Sequence, residues 1–292
     1  MKRFIKIFLL LVLLGFFAAA LSGAGLYFWA VRDLPGFKNI TDYNPPLVTT
    51  VYTSEGSVLG YFAKERRFLV PMREMPAHVP QAFLAAEDSD FYSHEGVDMV
   101  GIFRAALRNI QAGAIVQGGS TITQQVIKSL LLTPERSYTR KLKEAILAYR
   151  LEKYLSKDEI LTIYLNQIYL GEGAYGVEAA ARAYFGKHIS EVSLAEAAML
   201  AGLPKAPSRY APTKHQQEAK RRQEYVIGRM VAHGWISPEQ AEEARQAELS
   251  INSMPDPSWR TGAYFLEEVR RWLIKRYGEK TVYEGGLHVH TT

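Results

Sequence analysis

The first strong pattern along the chain is an apolar stretch near the N-terminus. Residues 7–31 carry no charge, whereas residues 1–6 contain three basic side chains and Arg32 follows the stretch. As a helix this stretch extends ~37 Å, enough to cross a hydrocarbon core of ~30 Å. Because basic residues favour the cytoplasmic side, the pattern predicts a cytoplasmic stub at 1–6, a single transmembrane anchor at 7–31 and the rest of the chain outside. A cleaved signal peptide is the alternative, since Ala18, Ala19 and Ala20 resemble a cleavage site, but the apolar run continues well beyond them.

The pattern changes after this stretch. Residues 32–65 combine a Pro-containing linker with two alternating segments, 49–53 and 58–62, that predict a β-hairpin. From there to residue 250 apolar positions recur with a helical period. The predicted helices cover residues 79–88, 98–112, 121–132, 138–155, 157–169, 176–185, 190–202, 214–233 and 238–249. We therefore predict a mainly α domain over residues 66–250.

The last segment, residues 251–292, has a different character. It begins as a second linker, contains a predicted helix over 261–277 and finishes in a strand-like pattern that stops part-way. We expect this segment to lead toward a further domain.

Composition narrows the classes of chemistry. The chain has no cysteine, which excludes disulfides, thiolate metal sites and a cysteine nucleophile. Of the net charge of +5, three units lie in residues 1–6. The remainder shows no basic run interleaved with aromatic residues, so we expect no nucleic-acid partner.

A first candidate site is the segment from Glu87 to Gly96. In a helix over 79–88, Glu87 borders the apolar face and lies in the last turn, where the helix dipole disfavours a negative charge. Partial burial acts in the same direction, so the pKa of Glu87 is expected to be raised, as suits a general base. The alternative is an ordinary helix end followed by a turn that His94 caps.

A second candidate site is a glycine pair before a helix. Residues 118–125 read GGSTITQQ, and two glycines followed by hydroxyl residues at a helix start offer backbone N–H groups to an anion. Taken alone, an ordinary N-cap is the favoured interpretation. Lys128 follows in the same helix and is either part of a cation cluster or a solvated side chain.

A third candidate site surrounds Glu144. This residue falls on an apolar stripe of the predicted helix 138–155, and a carboxylate there has to be paired or functional. Arg140, four residues earlier, lies within reach. Two interpretations stay open: a structural Arg140–Glu144 pair, or a second functional carboxylate beside cations that bind a phosphate.

Taken together, these segments resemble the peptidoglycan glycosyltransferase domain (family 51) of class A penicillin-binding proteins. The resemblance covers nearly the whole chain and rests on five motifs in the family's order. They are the Glu-Asp segment at 87–96, GGSTITQQ at 118–125, Arg140-Lys141-x-x-Glu144, residues 164–186 and residues 194–208. The resemblance implies a lysozyme-like fold with two helical lobes, and a fragment that ends before a transpeptidase domain.

The resemblance also implies roles for single residues. Glu87 and Glu144 would be catalytic, and Glu144 is a candidate ligand for a divalent cation, Mg²⁺ or Mn²⁺; no organic cofactor is implied. The implied pyrophosphate-binding residues are Lys128, Arg136, Arg140 and Lys143. The implied substrate-binding residues are Asp88, His94, Ser120, Thr121, Gln124 and Gln125.

The implied reaction joins lipid II to a growing glycan strand through an inverted β-1,4 link and releases undecaprenyl pyrophosphate. The implied place is the bacterial inner membrane, with the catalytic domain on the periplasmic or extracellular side and other cell-wall synthesis proteins as partners. The apolar stretches 99–103 and 112–116 are either a membrane-dipping surface or core. The rival functions are an anchored lysozyme-like lytic enzyme and a non-catalytic glycan-binding scaffold.

Overall fold

The computed structural model describes residues 2–32, 34, 45–114, 118–132, 137–252 and 262–292. Helices dominate these residues, as the pattern predicts. They are α1 (Lys2–Arg32), α2 (His78–Glu87), α3 (Met99–Ala112), α4 (Ile122–Leu131), α5 (Tyr138–Leu151), α6 (Lys157–Gln167), α7 (Val177–Phe185), α8 (Leu194–Gly202), α9 (Pro207–Tyr210), α10 (Gln216–Ala232), α11 (Pro238–Gln246), α12 (Ala263–Tyr277) and α13 (Glu279–Glu284). The short helices α9 and α13 were not predicted.

Helix α8 lies at the centre of the core. It is rich in alanine and almost wholly buried, and it packs against α2 and α10. Small side chains allow this close approach: a Cβ at Gly202 would lie 2.8 Å from Cγ of Arg222 on α10. The packing therefore brings α10 over the C-terminal ends of α8 and α2.

A second group of helices closes the other side of the core. Helix α4 packs against both α5 and α6, with Ile122, Val126, Leu147 and Leu151 fully buried between them. In both α4 and α5 the two buried residues are four positions apart, so each helix presents one apolar face to the others. Together with the α2–α8–α10 group they form one continuous hydrophobic core.

Three predicted helix boundaries are wrong by three or more residues. The helix predicted to reach residue 249 ends at Gln246, because Ala247 leaves the helical conformation (ψ 127°). The helix predicted from residue 190 begins at Leu194, because Ser193 forms a capping box with Glu196 and residues 189–191 form a separate 3₁₀ turn. The helix predicted to reach residue 155 ends at Leu151. There the side chain of Glu152 turns to Thr123 and Lys157, with distances of 2.6 and 2.8 Å.

The predicted hairpin is confirmed, and it has a partner from the end of the chain. Strands β1 (Thr49–Tyr52) and β2 (Val58–Phe62) pair antiparallel, and β5 (His288–His290) pairs parallel with β1. Side chains of the hairpin, α12 and α13 share a small apolar cluster separate from the main core. A two-stranded sheet of β3 (Arg66–Arg67) and β4 (Ala174–Tyr175) links the hairpin region to the helical core.

The apolar N-terminal stretch is helical, as predicted, and forms most of α1. Among the described residues, however, none of the helices is both long enough and apolar enough to span a membrane. Most of the predicted linker after Arg32 and residues 253–261 of the second linker lie outside the described residues.

Candidate active site

Glu87 is placed by the end of α2. Val79, Ala82 and Phe83 are fully buried and fix this helix in the core. The helix stops after Glu87 because Asp88 leaves the helical conformation (φ −158°, ψ 76°), although its N–H still bonds to the carbonyl of Leu84. Glu87 is therefore held at a helix terminus with one side on the core and the other on a cavity.

That cavity has a volume of about 320 Å³, in the range of small-molecule sites, and joins the three candidate segments. Glu87 lines it from α2, and Glu144 lines it from α5. Lys128 and residues 118–121 line it between them. The structure thus brings together two carboxylates that lie far apart in the sequence.

The carboxyl group of Glu87 is in an unusual environment. Burial raises its pKa above the ordinary value for glutamate. A hydrogen bond from Nε2 of Gln125 to Oε2 (2.9 Å) and the charges of Arg222 and Lys205 act in the opposite direction. Burial has the largest effect, which confirms the raised pKa expected from the sequence.

Asp88 and His94 serve the architecture of the site. Nε2 of His94 lies 3.1 Å from both carboxylate oxygens of Asp88, and the backbone N–H of Ile122 donates to Oδ2 (2.9 Å). Both side chains are buried. The pair therefore ties the end of α2 to the start of α4. Asp88 borders the cavity, whereas His94 is not among its lining residues.

The glycine pair precedes the N-cap of helix α4. Thr121 and Gln124 form a capping box, and the hydroxyl of Thr121 donates to the carbonyl of Gly96 (2.6 Å). The N–H groups of Ile122 and Gln124 are already bonded to Asp88 and Thr121, so they are not available to an anion. Locally the N-cap interpretation is confirmed, while Ser120 and Gln125 still line the cavity.

Glu144 forms the structural pair of its first interpretation and also lies at the cavity, where its second interpretation would require it. It is buried, and its two oxygens lie 3.0 Å from Nε of Arg140 and 2.9 Å from Nζ of Lys141. The structural ion pair therefore exists, and the same carboxylate borders the cavity that holds Glu87. Nζ of Lys141 also donates to Oγ of Ser120 (2.7 Å), so this lysine connects α5 to the glycine pair.

The structure agrees only in part with the cation cluster expected from the sequence. Lys128 lines the cavity, and Arg140 contacts Glu144. Lys143, an implied pyrophosphate-binding residue, is not among the lining residues, whereas Lys141, which was not among the implied pyrophosphate-binding residues, contacts Glu144. Arg136 lies outside the described residues.

Several lining cations were missed by the sequence interpretation. They come from α3, from the segment after Pro204 and from α10, and they are Arg104, Arg108, Lys205, Arg222 and Arg229. A usable signal existed on α10, where Arg222 and Arg229 are seven residues apart and so lie on the same face. Their approach to Glu87, however, depends on the packing of α10 over α2.

The residues around Glu144 do not fit a divalent cation held by the protein alone. Both oxygens of Glu144 already face positive groups. In the described part of the chain, no group of three or more His, Cys, Asp or Glu side chains has the arrangement of a metal site. A divalent metal is usually held by several such ligands.

Comparison with known proteins identifies the family. The family model described as Transglycosylase matches residues 55–231, which is more than half of the chain. The chain belongs to the transglycosylase family. This result confirms the resemblance found in the sequence, and the matched range contains every residue of the cavity.

Relatives of this transglycosylase chain include several penicillin-binding proteins. It is 47% identical to penicillin-binding protein 1A of Aquifex aeolicus over 89% of its length and 36% of the relative's. It is 44% identical to penicillin-binding protein 1A of Neisseria flavescens over 94% of its length and 35% of the relative's. A crystal structure of penicillin-binding protein 1A from Haemophilus influenzae aligns with a TM-score of 0.48 and 26% identity, over 84% of this chain and 26% of that one. The chain thus spans about a third of the length of these curated relatives.

Proposed function

We propose that this chain is a peptidoglycan glycosyltransferase that polymerises lipid II into β-1,4-linked glycan strands with inversion at the anomeric carbon. The observation that supports the proposal most directly is the shared cavity: Glu87, with its raised pKa, and Glu144 line the same space, and cationic side chains surround it. Membership of the transglycosylase family supports the same reaction class.

In the proposed reaction Glu87 is the general base. The 4-hydroxyl of the acceptor sugar is a weak nucleophile, and the ionised carboxylate of Glu87 accepts its proton. The hydroxyl oxygen then bonds to the anomeric carbon of the lipid-linked donor while the bond from that carbon to the pyrophosphate oxygen breaks. A single displacement of this kind inverts the anomeric centre, and an α-linked donor gives a β-linked product.

The cations act on the leaving group. Negative charge develops on the departing pyrophosphate, and preorganised positive groups in the cavity stabilise it in the transition state. Lys128 lines the cavity, and Arg140 and Lys141 stand on the same side through Glu144. We assign Glu144 the role of holding these two side chains in place. A lytic enzyme has a sugar as its leaving group and has no need of such a cluster.

The membrane belongs to the same proposal. An uncharged stretch at 7–31 and an apolar face on α3 would place the cavity at the bilayer surface, where a lipid-linked substrate resides. On α3, Val100, Phe103 and Ile110 are 68%, 67% and 77% exposed. This exposure argues against the core-helix alternative for residues 99–103, and an exposed apolar face of this kind is typical of a membrane or protein contact. Residues 115 and 116 of the second predicted stretch lie outside the described residues.

The remaining features of the resemblance complete the proposal. The lysozyme-like two-lobed arrangement, the single-pass topology with the N-terminus inside, and contacts with cell-wall synthesis proteins are all consistent with an enzyme that works on lipid II at the outer face of the inner membrane. The mainly helical architecture supports the first of these.

The test is the Glu87→Gln variant of the full chain, assayed with lipid II and separately with intact sacculi. Loss of a general base lowers a rate by about 10²- to 10⁴-fold, so we expect polymer formation to fall by that factor with an unchanged circular dichroism spectrum. Glu243→Gln on the exposed surface of α11 is the matched control and should retain the wild-type rate. Wild-type activity in Glu87→Gln would show that Glu87 is not the base. Release of soluble fragments from sacculi by the wild-type chain would support the lytic alternative.

A further inference from the structure

Helix α10 presents two arginines to the cavity. Arg222 and Arg229 lie two turns apart on the same face of the helix, and both line the cavity. Arg222 donates through Nε to the carbonyl of Gly202 (3.3 Å) at the end of α8, and its guanidinium stacks 4.3 Å from the ring of Tyr225. Arg229 has a different set of partners, and they belong to α2 and the residues just after it.

The C-terminal turn of any helix leaves carbonyl groups without a partner inside the helix. In α2 the carbonyl of Leu84 accepts from the N–H of Asp88. The next carbonyl, that of Ala85, accepts instead from Nε of Arg229, at 3.2 Å. A cation at this end of a helix is also favoured by the helix dipole. Arg229 therefore caps α2 from another helix.

The same guanidinium reaches across the helix end. Its Nη2 donates to Oγ of Ser89, at 3.1 Å. Ala85 and Ser89 lie two residues before and two residues after Glu87, so one rigid planar group holds a backbone carbonyl before the proposed base and a side-chain hydroxyl after it. A lysine has a single ammonium group and lacks the fixed fork geometry of a guanidinium.

We propose that Arg229 is a positioning residue for Glu87, which it holds in its reactive place by bracing Ala85 and Ser89 from α10. This inference rests on the proposed function, since it concerns the base of that reaction. Displacement of a catalytic group by ~1 Å lowers a rate by as much as ~10²-fold. The bond from Gln125 then sets the direction of the carboxylate, while Arg229 sets the position of the backbone that carries it.

The test compares Arg229→Gln and Arg229→Lys with Arg221→Gln in the full chain. Arg221 is a matched control because it lies on the same helix, its side chain is exposed, and it forms an ion pair with Glu218 at 2.6 Å. For Arg229→Gln we expect kcat for lipid II polymerisation to fall about tenfold or more, with KM changed less than about threefold. Arg229→Lys should recover part of the loss, and Arg221→Gln should keep the wild-type values.

Two further measurements separate bracing from other roles. Amide hydrogen exchange in residues 84–93 should become faster in Arg229→Gln, while exchange in α8 stays at the wild-type rate. Affinity for lipid II, measured in a Glu87→Gln background, should be the same with and without Arg229→Gln. A large loss of affinity there, or a rise in KM at constant kcat, would show that Arg229 contacts the substrate itself and would overturn the proposal.

A milder variant keeps the proposal testable if Arg229→Gln unfolds. Ser89→Ala removes one of the two braced groups without changing α10. It should lower kcat by a smaller factor and should add no further loss to Arg229→Lys, because both changes act on the same contact; independent, additive losses would contradict the bracing role. If the wild-type chain does not polymerise lipid II, the proposed function fails, and the hydrogen-exchange measurement alone still decides whether Arg229 braces α2.

Discussion

At the scale of single residues, the site depends on a balance of effects on one carboxylate. Burial raises the pKa of Glu87, and the hydrogen bond from Gln125 is the strongest effect that lowers it. A base works only when it is ionised, yet it accepts a proton more readily when its pKa is higher. The neighbours of Glu87 therefore set the lowest pH at which the proposed reaction runs.

We expect Gln125→Leu to shift the acidic limb of the kcat profile to higher pH. The amide stabilises the ionised form of Glu87, so its removal raises the pKa of that group, and more of the base is protonated at a given pH. A hydrogen bond to a charged group contributes about 1.5 kcal/mol or more, which corresponds to about one pH unit. Initial rates at saturating lipid II across the pH range measure the shift.

The control for this prediction is Gln246→Leu. Gln246 makes the same kind of bond, from Nε2 to Oε1 of Glu242 at 2.8 Å, on the exposed surface of α11. Its removal should leave the pH profile in place. An unchanged profile in Gln125→Leu, or a shift to lower pH, would show that Gln125 does not govern the ionisation of the base.

At the scale of elements, the turn at Gly96 packs between the start of α4 and the backbone of α5. The carbonyl of Gly96 accepts from the hydroxyl of Thr121, while the Cα of Gly96 faces the backbone of α5. With φ at +81°, Gly96 is in the left-handed region, and an added Cβ would lie 2.6 Å from the carbonyl carbon of Ala148. The turn after Glu87 thus needs a glycine for two separate reasons.

We expect Gly96→Ala to destabilise the fold by about 2–5 kcal/mol, which combines the cost of a left-handed alanine with that of overpacking. Gly113→Ala separates the two effects, because Gly113 also has a positive φ of 63° but has open space around it. That control should lose only about 1–2 kcal/mol. Denaturant unfolding curves for both variants provide the comparison, and equal losses would show that contact with α5 is unimportant.

The sequence predicts most of the helices because they have an apolar face with a helical period. It also singles out Glu87 and Glu144 as candidate functional carboxylates, because both lie beside such a face. Helix geometry also predicts that Lys141, and not Lys143, contacts Glu144. A residue three positions before Glu144 shares its face of the helix, and a residue one position before it does not. By contrast, the placement of Arg229 against Ala85 and of β5 against β1 joins residues 144 and 238 positions apart. No local pattern encodes such contacts.

At the scale of the whole molecule, the apolar face of α3 stands out. Its exposed residues recur at positions 100, 103, 107 and 110, which place them on one side of the helix. Arg104 and Arg108 of the same helix line the cavity. One helix therefore presents an apolar face to the surroundings and a basic edge to the site, an arrangement suited to a substrate with a lipid tail and a charged headgroup.

This arrangement predicts that replacing both Val100 and Phe103 by serine slows the reaction at a bilayer and leaves it unchanged in detergent. Burial of such side chains contributes about 1.5–3 kcal/mol each, so their loss should weaken docking of α3 and lower the rate with lipid II in vesicles by at least about tenfold. Detergent micelles deliver the substrate without a bilayer surface, and the rate there should match the wild type. Tyr264→Ser, an exposed aromatic on α12, is the control and should behave as wild type in both formats. Equal losses in vesicles and micelles would mean that these side chains contact the substrate or support the fold, and no loss in either would show that the face does not act at the membrane.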